Sequence, residues 1–245
     1  MKKIKLLSLV VPAYKQEKTI IEDIKNLDKV LSSLPFRHEI IVVVDGFLDK
    51  TYVRIKNQES RIKNLHVFGY AKNCGKGYAV QFGIAKAEGD IIGFIDAGMD
   101  IDPTSIPALL SHMETKNADI AIGSKLHPQS KVKYPFVRKI LSWGYQNIVH
   151  LLFGLNVRDT QAGLKLFKRK VAKEVFPKLT VKTFAFDIEA LVIAKEMGYE
   201  KIYEAPVKLN FRKGTITRLN FFIVALKMLV DTVKVFSRVK TNYYK

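Results

Sequence analysis

The 245-residue sequence contains one cysteine, Cys74, so an internal disulfide bond is excluded and a reducing compartment is indicated. It has no stretch of about 18 uncharged apolar residues, and we therefore expect no transmembrane helix. The N-terminus is basic and then apolar, but Pro12 follows and no small-residue cleavage site is evident. We expect a first β-strand there rather than a signal peptide.

Acidic residues are scarce and are absent from two long windows. The chain has 41 Lys and Arg against 23 Asp and Glu, a formal net charge of +18. Residues 120–158 and 205–230 contain no Asp or Glu, and their cations alternate with large apolar and aromatic residues. This pattern favours an anionic membrane surface over nucleic acid as the partner, although an ordinary solvated Lys-rich surface would carry the same charge.

Apolar strand-like and helix-like segments alternate through the first 120 residues. Strands are predicted at 6–11, 39–44, 64–68, 90–95 and 118–124, and helices at 17–34, 49–58, 77–87 and 103–116. This order predicts an α/β fold with a mainly parallel sheet and helices on both faces. The loops after the strands should line one crevice at the carboxyl ends of the strands.

The second half of the chain is less regular. Helices are predicted at 135–155, 186–197 and 219–239, and a strand at 201–210. The last helix has a long apolar face broken by Lys227 and Asp231, which is too charged to span a bilayer but suited to lie on one. Packing of that face on the core or on a partner subunit remains the alternative.

Three carboxylates follow the strand at 90–95, namely Asp96, Asp100 and Asp102. Carboxylates at the end of an apolar strand are costly to pack as core, but they can hold a hard cation against phosphate oxygens. They indicate an enzyme that acts on a nucleotide diphosphate with Mg²⁺ or Mn²⁺. Either Asp100 or Asp102 could instead cap the helix that begins near Pro103, and for Asp102 we favour capping.

A glycine-rich tripeptide, Gly75-Lys76-Gly77, opens another predicted helix. It lacks the spacing of a P-loop or a dinucleotide-binding loop, and such a tripeptide is often only a turn. The glycines permit close backbone approach, and Lys76 supplies a positive charge near a bound donor.

Several motifs, taken in order, resemble a known family. They are VVPAY at 10–14 with Glu17, VDGFLDKT at 44–51, NCGKG at 73–77, DAGMD at 96–100, DTQAGLKLF at 159–167 and FDIE at 186–189. Together they resemble a family 2 glycosyltransferase of the GT-A fold, in the branch of polyprenyl- or dolichyl-phosphate hexose synthases. The resemblance covers roughly residues 6–218.

The resemblance implies a GT-A domain over 1–218 and a C-terminal amphipathic, membrane-surface helix over 219–245. It implies inverting transfer of a hexose, with glucose favoured and mannose possible, from UDP-glucose or GDP-mannose to dolichyl or polyprenyl phosphate. The enzyme would be peripheral at the cytoplasmic membrane face and would use Mg²⁺ or Mn²⁺. The alternatives are a glycan or polysaccharide acceptor, or a non-catalytic protein that binds a nucleotide or nucleic acid.

The resemblance also implies roles for individual residues. The family's main metal ligand falls at Gly98, which leaves Asp96 and Asp100 as the expected metal pair. Asp45 would contact the donor's base, although an Asx-turn that closes a loop is the alternative. The remaining donor contacts would be Pro12, Tyr14, Glu17, Lys76, Asp96, Arg212 and Arg218. The acceptor phosphate would be held by Lys125, Arg138 and Ser142. The catalytic group would comprise Asp159, as a base or as a group that orients the nucleophile or the sugar, with Gln161 and Asp187 supporting the sugar or the loop.

Overall fold

A computed structural model of the chain describes residues 4–130, 136–210 and 218–244, with side chains for all of these except 136–143 and 218–225. Within these residues the strands β1 to β7 are Leu6–Ala13, Arg37–Asp45, Leu65–Tyr70, Ile91–Ile95, Ile120–Ser124, Leu164–Lys168 and Ile202–Pro206. The helices α1 to α8 are Ile20–Ser32, Thr51–Lys56, Lys76–Lys86, Ile106–Thr115, Phe136–Phe153, Arg169–Val175, Phe186–Glu196 and Arg218–Lys240.

The strands form one seven-stranded sheet in the order β3-β2-β1-β4-β6-β5-β7. All neighbouring pairs are parallel except those of β6, which runs antiparallel to β4 and β5. The predicted α/β fold with a mainly parallel sheet is confirmed. Neither β6 nor α6 was among the predicted elements, and the strand predicted at 201–210 ends at Pro206.

Apolar clusters cover both faces of the sheet. On one face, Ile20, Ile24, Leu27 and Leu31 of α1 are fully buried at the predicted helical spacing. On the other face, helices α3, α6 and α7 pack over β1, β2 and β4. Burying large apolar side chains on both faces explains why the parallel strands are nearly continuous apolar runs.

The carboxyl ends of β1, β2, β4, β5 and β7 share one edge of the sheet, and antiparallel β6 starts at that edge. The chain order reverses between β1 and β4, which lie side by side although β2 and β3 come between them in sequence. Such a switch point opens a crevice at the strand ends. Because Ile95 pairs with Leu164, the residues that follow β4 and those that precede β6 meet there.

Helix α8 packs on the core through one face and exposes another. Thr232 and Val235 are buried, whereas Leu226, Val230 and Val233 are exposed. Among the described residues, no helix is both long enough and apolar enough to cross a membrane.

Candidate active site

Asp96 follows β4 directly and forms an ion pair with Lys76, the first residue of α3. Oδ1 of Asp96 lies 2.7 Å from Nζ of Lys76. Burial alone would lower the pKa of Lys76, but the charges of Asp96 and Asp187 outweigh it and raise that pKa above its usual value. The ion pair therefore favours the charged form of Lys76 in the crevice, and a contact of Lys76 with a donor remains a prediction.

A second, deeper ion pair lies behind the first. Oδ1 of Asp187, in the first turn of α7, lies 2.5 Å from Nζ of Lys165, and Oδ2 lies 3.9 Å from Nζ of Lys76. Lys165 and Asp187 are almost completely buried. Burial raises the pKa of Asp187 and lowers that of Lys165, while their mutual attraction opposes both shifts.

Aromatic rings form the floor under these cations. Nζ of Lys76 lies 5.9 Å from the ring centroid of Phe94 and 5.5 Å from that of Phe186. Nζ of Lys165 lies 5.3 Å from the Phe94 centroid. The ring faces attract cations electrostatically.

Gly163, in the loop before β6, makes room for Asp96. Its carbonyl oxygen accepts a hydrogen bond from the backbone N–H of Asp96 at 2.9 Å, and a Cβ at this glycine would overlap Oδ2 of Asp96. The DTQAGLKLF motif therefore contributes to the same site as the DAGMD motif.

Asp45, at the end of β2, closes the loop that leads into α3. Its carboxylate accepts hydrogen bonds from the backbone N–H groups of Cys74 and Gly75 at 2.7 and 2.9 Å and from Nδ2 of Asn73 at 2.8 Å. These contacts join residues 28 to 30 positions apart and close the loop before α3, so they are not the local Asx-turn that was the alternative to base recognition. A contact of Asp45 with a nucleotide base remains a prediction.

The close backbone approach expected of Gly75 and Gly77 is to protein. The N–H of Gly77 donates to the carbonyl of Lys182 at 2.9 Å, and a Cβ at Gly75 would overlap that carbonyl oxygen. Gly75 has φ +98°, a left-handed conformation that favours glycine. The segment before α7 thus covers the start of α3 and fixes the backbone of Lys76.

The remaining donor residues predicted near β1 lie at the same edge. Pro12 is buried in β1, and Tyr14 is exposed just beyond it. Oε2 of Glu17 accepts a hydrogen bond from the N–H of Lys50 at 3.0 Å, which ties the loop after β1 to the loop after β2.

Asp159 joins the loop before β6 to the end of β5. Oδ2 of this buried carboxylate accepts a hydrogen bond from the backbone N–H of Lys125 at 2.8 Å. The N–H of Asp159 donates to Oε1 of Glu204 at 2.9 Å. Nε2 of Gln161 lies 3.5 Å from Sδ of Met228, so this loop also contacts α8. Asp159, which was predicted to be catalytic, and Lys125, which was predicted to hold the acceptor phosphate, are therefore neighbours.

The residues after Asp96 are compatible with a divalent cation. No group of three or more His, Cys, Asp or Glu side chains is arranged to hold a metal within the described parts of the chain. Oδ1 of Asp96 is buried and accepts no hydrogen bond of good geometry from them. Mg²⁺ in nucleotide sites is commonly held by one or two carboxylates and the substrate's phosphates, so Asp96 and exposed Asp100 would suffice.

Gly98 and Asp102 complete this turn. Gly98 has φ +85°, and among the described residues no atom beyond its two chain neighbours lies within 4 Å of the position that a Cβ would occupy. The carboxylate of Asp102 accepts hydrogen bonds from the N–H and Oγ1 of Thr104 at 2.9 and 2.8 Å, so the predicted capping role is confirmed.

Four predicted site residues cannot be located as side chains. Arg212 lies outside the described residues. Arg138 and Ser142 are on α5 and Arg218 begins α8, but only their backbone positions are described. Their roles remain predictions.

Two residues important to the site were not predicted, Lys165 and Glu189. The carboxylate of Glu189, fully buried on α7, accepts hydrogen bonds from the N–H groups of Thr180 and Val181 at 3.0 and 2.7 Å and from the hydroxyl of Tyr244 at 2.7 Å. It thus fixes the segment that covers Lys76 and joins it to the end of the chain. The signal for Lys165 was a lysine inside the apolar run Leu164–Phe167.

Comparisons with known proteins show the family to which the chain belongs. The sequence model of the family described as Glycosyl transferase family 2 matches residues 8–176. A dolichyl-phosphate beta-glucosyltransferase of Trichomonas vaginalis is 35% identical over 241 residues, which cover 94% of this chain and 72% of the relative. The dolichyl-phosphate beta-glucosyltransferase of Homo sapiens is 32% identical over 98% of this chain and 78% of its own length.

Solved structures share the fold. Glucosyl-3-phosphoglycerate synthase of Mycobacterium tuberculosis in complex with Mn²⁺, UDP-glucose and glycerol 3-phosphate matches with a TM-score of 0.72 at 17% identity, over 95% of this chain and 80% of that one. Its complex with Mg²⁺ and UDP matches with a TM-score of 0.69. The fold is that of a glycosyltransferase of the GT-A type. The chain belongs to glycosyl transferase family 2.

Proposed function

We propose that the protein transfers glucose from UDP-glucose to a dolichyl or polyprenyl phosphate with inversion at the sugar's anomeric carbon. The observation that carries this proposal is the hydrogen bond from the backbone N–H of Lys125 to Asp159, at the sheet edge that also holds Lys76 and Asp96. A donor diphosphate and an acceptor phosphate would each have a cation there. The names of the relatives support the same reaction.

The donor half of the proposed site is built around Lys76 and Asp96. A diphosphate and a carboxylate repel each other unless a cation lies between them. Mg²⁺ or Mn²⁺, held by Asp96 and Asp100, would neutralise the charge that develops on the leaving nucleoside diphosphate. Lys76 faces the same diphosphate, and Arg212 and Arg218 are proposed to close over it.

The remaining donor contacts are proposed for the base and ribose. The backbone at Pro12 and the exposed ring of Tyr14 would border the nucleoside. Glu17 and Asp45 would shape its pocket, since both hold loops at this edge. The uridine base and the glucose are proposed from the relatives and the solved complexes that contain UDP-glucose.

The acceptor half uses Lys125, with Arg138 and Ser142 from α5. A phosphate oxygen of the acceptor attacks the anomeric carbon, and the bond from that carbon to the nucleoside diphosphate breaks with its electron pair on the leaving oxygen. The acceptor is already largely ionised at neutral pH, since the second pKa of a phosphate ester is about 6. Asp159 and Gln161 therefore orient the nucleophile and sugar rather than removing a proton.

We infer that α8 lies on the membrane that contains the acceptor. Leu226, Leu229, Val230 and Val233 recur at helical spacing and are exposed, with Lys227 and Lys234 beside them. An apolar stripe flanked by lysines suits an anionic lipid surface. A nucleotide-sugar donor fits the cytoplasmic face, where we propose that the protein is peripheral.

Thermal unfolding with added ligands tests the donor and the class of protein together. A ligand that binds only the folded state at 100 times its Kd stabilises by about 2.7 kcal/mol. We expect UDP to raise Tm in the presence of Mn²⁺ and to raise it less with EDTA, with GDP weaker than UDP. A shift with an oligonucleotide and none with UDP or GDP would reject the proposal.

A further inference from the structure

Four charged side chains form an alternating chain from the crevice into the core. Asp96 pairs with Lys76 at 2.7 Å, Lys76 lies 3.9 Å from Asp187, and Asp187 pairs with Lys165 at 2.5 Å. The two carboxylates and two ammonium groups balance. Only the outer pair is open to the crevice, because Asp187 and Lys165 are almost completely buried.

Lys165 is unusual because its ammonium group has no access to solvent. It donates to Oδ1 of Asp187 and to the carbonyl oxygen of Ala162 at 2.7 Å, and it lies over the ring of Phe94. A buried ion pair usually contributes little net stability, because removing both charges from water is costly. Packing alone therefore does not explain a lysine at this position of β6. It is too deeply enclosed to reach a substrate itself.

The distances indicate what Lys165 does for the site. Asp187 lies close to Lys165 and farther from Lys76, so its negative charge is balanced mainly by Lys165. Without Lys165, Asp187 would attract Lys76 more strongly, because Lys76 would be its closest cation among the described residues. Lys76 would then turn inward, away from Asp96 and from any diphosphate in the crevice.

We propose that Lys165 is a positioning residue for the donor site, which neutralises Asp187 so that Lys76 stays directed at the donor diphosphate. This inference rests on the proposed function of the same crevice. It makes Asp187 a buried counter-ion in the free enzyme rather than a group that touches the substrate.

The test measures the affinity of UDP with Mn²⁺ by calorimetry for four proteins: wild type, Lys165→Met, Asp187→Asn and the double variant. We expect Lys165→Met to weaken UDP binding about 10-fold, a typical coupling for charges in one network. On the Asp187→Asn background the same substitution should change the affinity by less than about 2-fold, since no carboxylate is left to neutralise.

Lys168→Met is the matched control. Lys168 is on the same strand and pairs with Asp119 at 2.9 Å, but it lies beside Ile91 at the opposite sheet edge from Asp96. It should leave the affinity for UDP unchanged. Circular dichroism checks folding, and each affinity is measured well below the variant's Tm, so that a purely structural effect would move Tm and not Kd.

The outcomes separate the two claims. Folded Lys165→Met with wild-type affinity, or an equal loss on the Asp187→Asn background, would overturn the role of Lys165. If Lys165→Met alone does not fold, a loss of more than about 2-fold from Lys165→Met on the Asp187→Asn background would still overturn the role of Lys165. Wild-type protein that binds neither UDP nor GDP would instead reject the proposed function.

Discussion

At the scale of single residues, two nearby aspartates after β4 have different roles, one in stability and one in the proposed binding of a cation. Asp102 caps the turn before α4 through Thr104, whereas exposed Asp100 is the proposed partner of Asp96 in holding a cation. Identical substitutions at the two positions should therefore have different effects.

Asp102→Ala should lower the free energy of unfolding by about 1 kcal/mol, the usual cost of losing a cap, and leave UDP binding with Mn²⁺ unchanged. Asp100→Ala should abolish the Mn²⁺-dependent part of UDP binding and cost less stability. Urea unfolding and calorimetry measure the two quantities. Unchanged metal dependence in Asp100→Ala would remove Asp100 from the cation site.

Alanine substitutions at two glycines should change the free energy of unfolding in opposite directions. At Gly75, φ is +98° and a Cβ would overlap the carbonyl oxygen of Lys182, so Gly75→Ala should lower the free energy of unfolding by about 2 kcal/mol or more. Gly144 lies within α5, and no described atom outside the backbone of that helix and its two chain neighbours lies within 4 Å of its Cβ position, so Gly144→Ala should raise that energy by about 0.5–1 kcal/mol. Chemical denaturation compares them, and equal effects would contradict this reading of the backbone.

The sequence allowed the individual charges at the strand ends to be predicted, but not their pairing. Asp102 was predictable because a cap is decided within three residues. The pair of Lys165 with Asp187 joins residues 22 apart in sequence, and that of Glu189 with Tyr244 joins residues 55 apart. Only the folded chain brings such partners together.

At the scale of elements, local periodicity predicted α1 and the parallel strands but not β6. Its sequence, LKLFK, places lysines among apolar residues. Alternation of this kind usually indicates a half-exposed strand, but Lys165 is fully buried on Asp187. The ion pair with Asp187 thus allows a lysine to occupy a buried position at which an apolar side chain would be expected.

Helix α8 offers a test of membrane binding. Replacing Leu226 and Val233 together with Gln should weaken binding to anionic vesicles by about 10-fold or more, because both side chains would lose apolar contact with lipid. Sedimentation with vesicles that contain phosphatidylserine measures this effect.

The control for α8 is Val53→Gln, which changes an equally exposed valine on α2. It should bind vesicles as the wild type does, and Tm should change little in all variants, because the replaced side chains are exposed. Equal binding by the α8 variant and wild type would show that the stripe does not meet lipid.

The contact between α5 and α8 should weaken at high pH. The hydroxyl of Tyr145 lies 2.7 Å from Oγ1 of Thr232, and burial raises the pKa of Tyr145 to about 12. Since the folded-state pKa exceeds the unfolded value of about 10, its stabilisation is complete below pH 10 and is lost as the pH rises towards 12. Urea unfolding between pH 9 and 12 should show a shallower decline in Tyr145→Phe, and an unchanged decline would contradict this assignment.

At the scale of the whole molecule, the sheet order determines which motifs share a site. Motifs near residues 45, 76, 96 and 159 are far apart in sequence, yet they meet at one sheet edge because β4 lies between β1 and β6. The α/β class and the common edge were predictable from the alternation of strands and helices. The antiparallel insertion of β6 was not, because strand direction depends on how distant segments pair.

The charge distribution suits the same arrangement. The net charge of +18 is concentrated where acidic residues are absent, in the windows 120–158 and 205–230 that include α5 and the start of α8. These are the segments proposed to face the acceptor phosphate and the lipid surface. A cationic surface of this extent would increase the rate of encounter with anionic membranes at low salt.

An assay of sugar transfer is the most direct test of the proposal that the protein moves glucose from UDP-glucose to a polyprenyl phosphate. Purified protein is incubated with radiolabelled UDP-glucose, polyprenyl phosphate and Mn²⁺, and the organic extract is counted, with labelled GDP-mannose in a parallel reaction. We expect label from UDP-glucose in the lipid fraction, dependent on polyprenyl phosphate and strongly reduced in Lys76→Met. No lipid-linked sugar from either donor would contradict it.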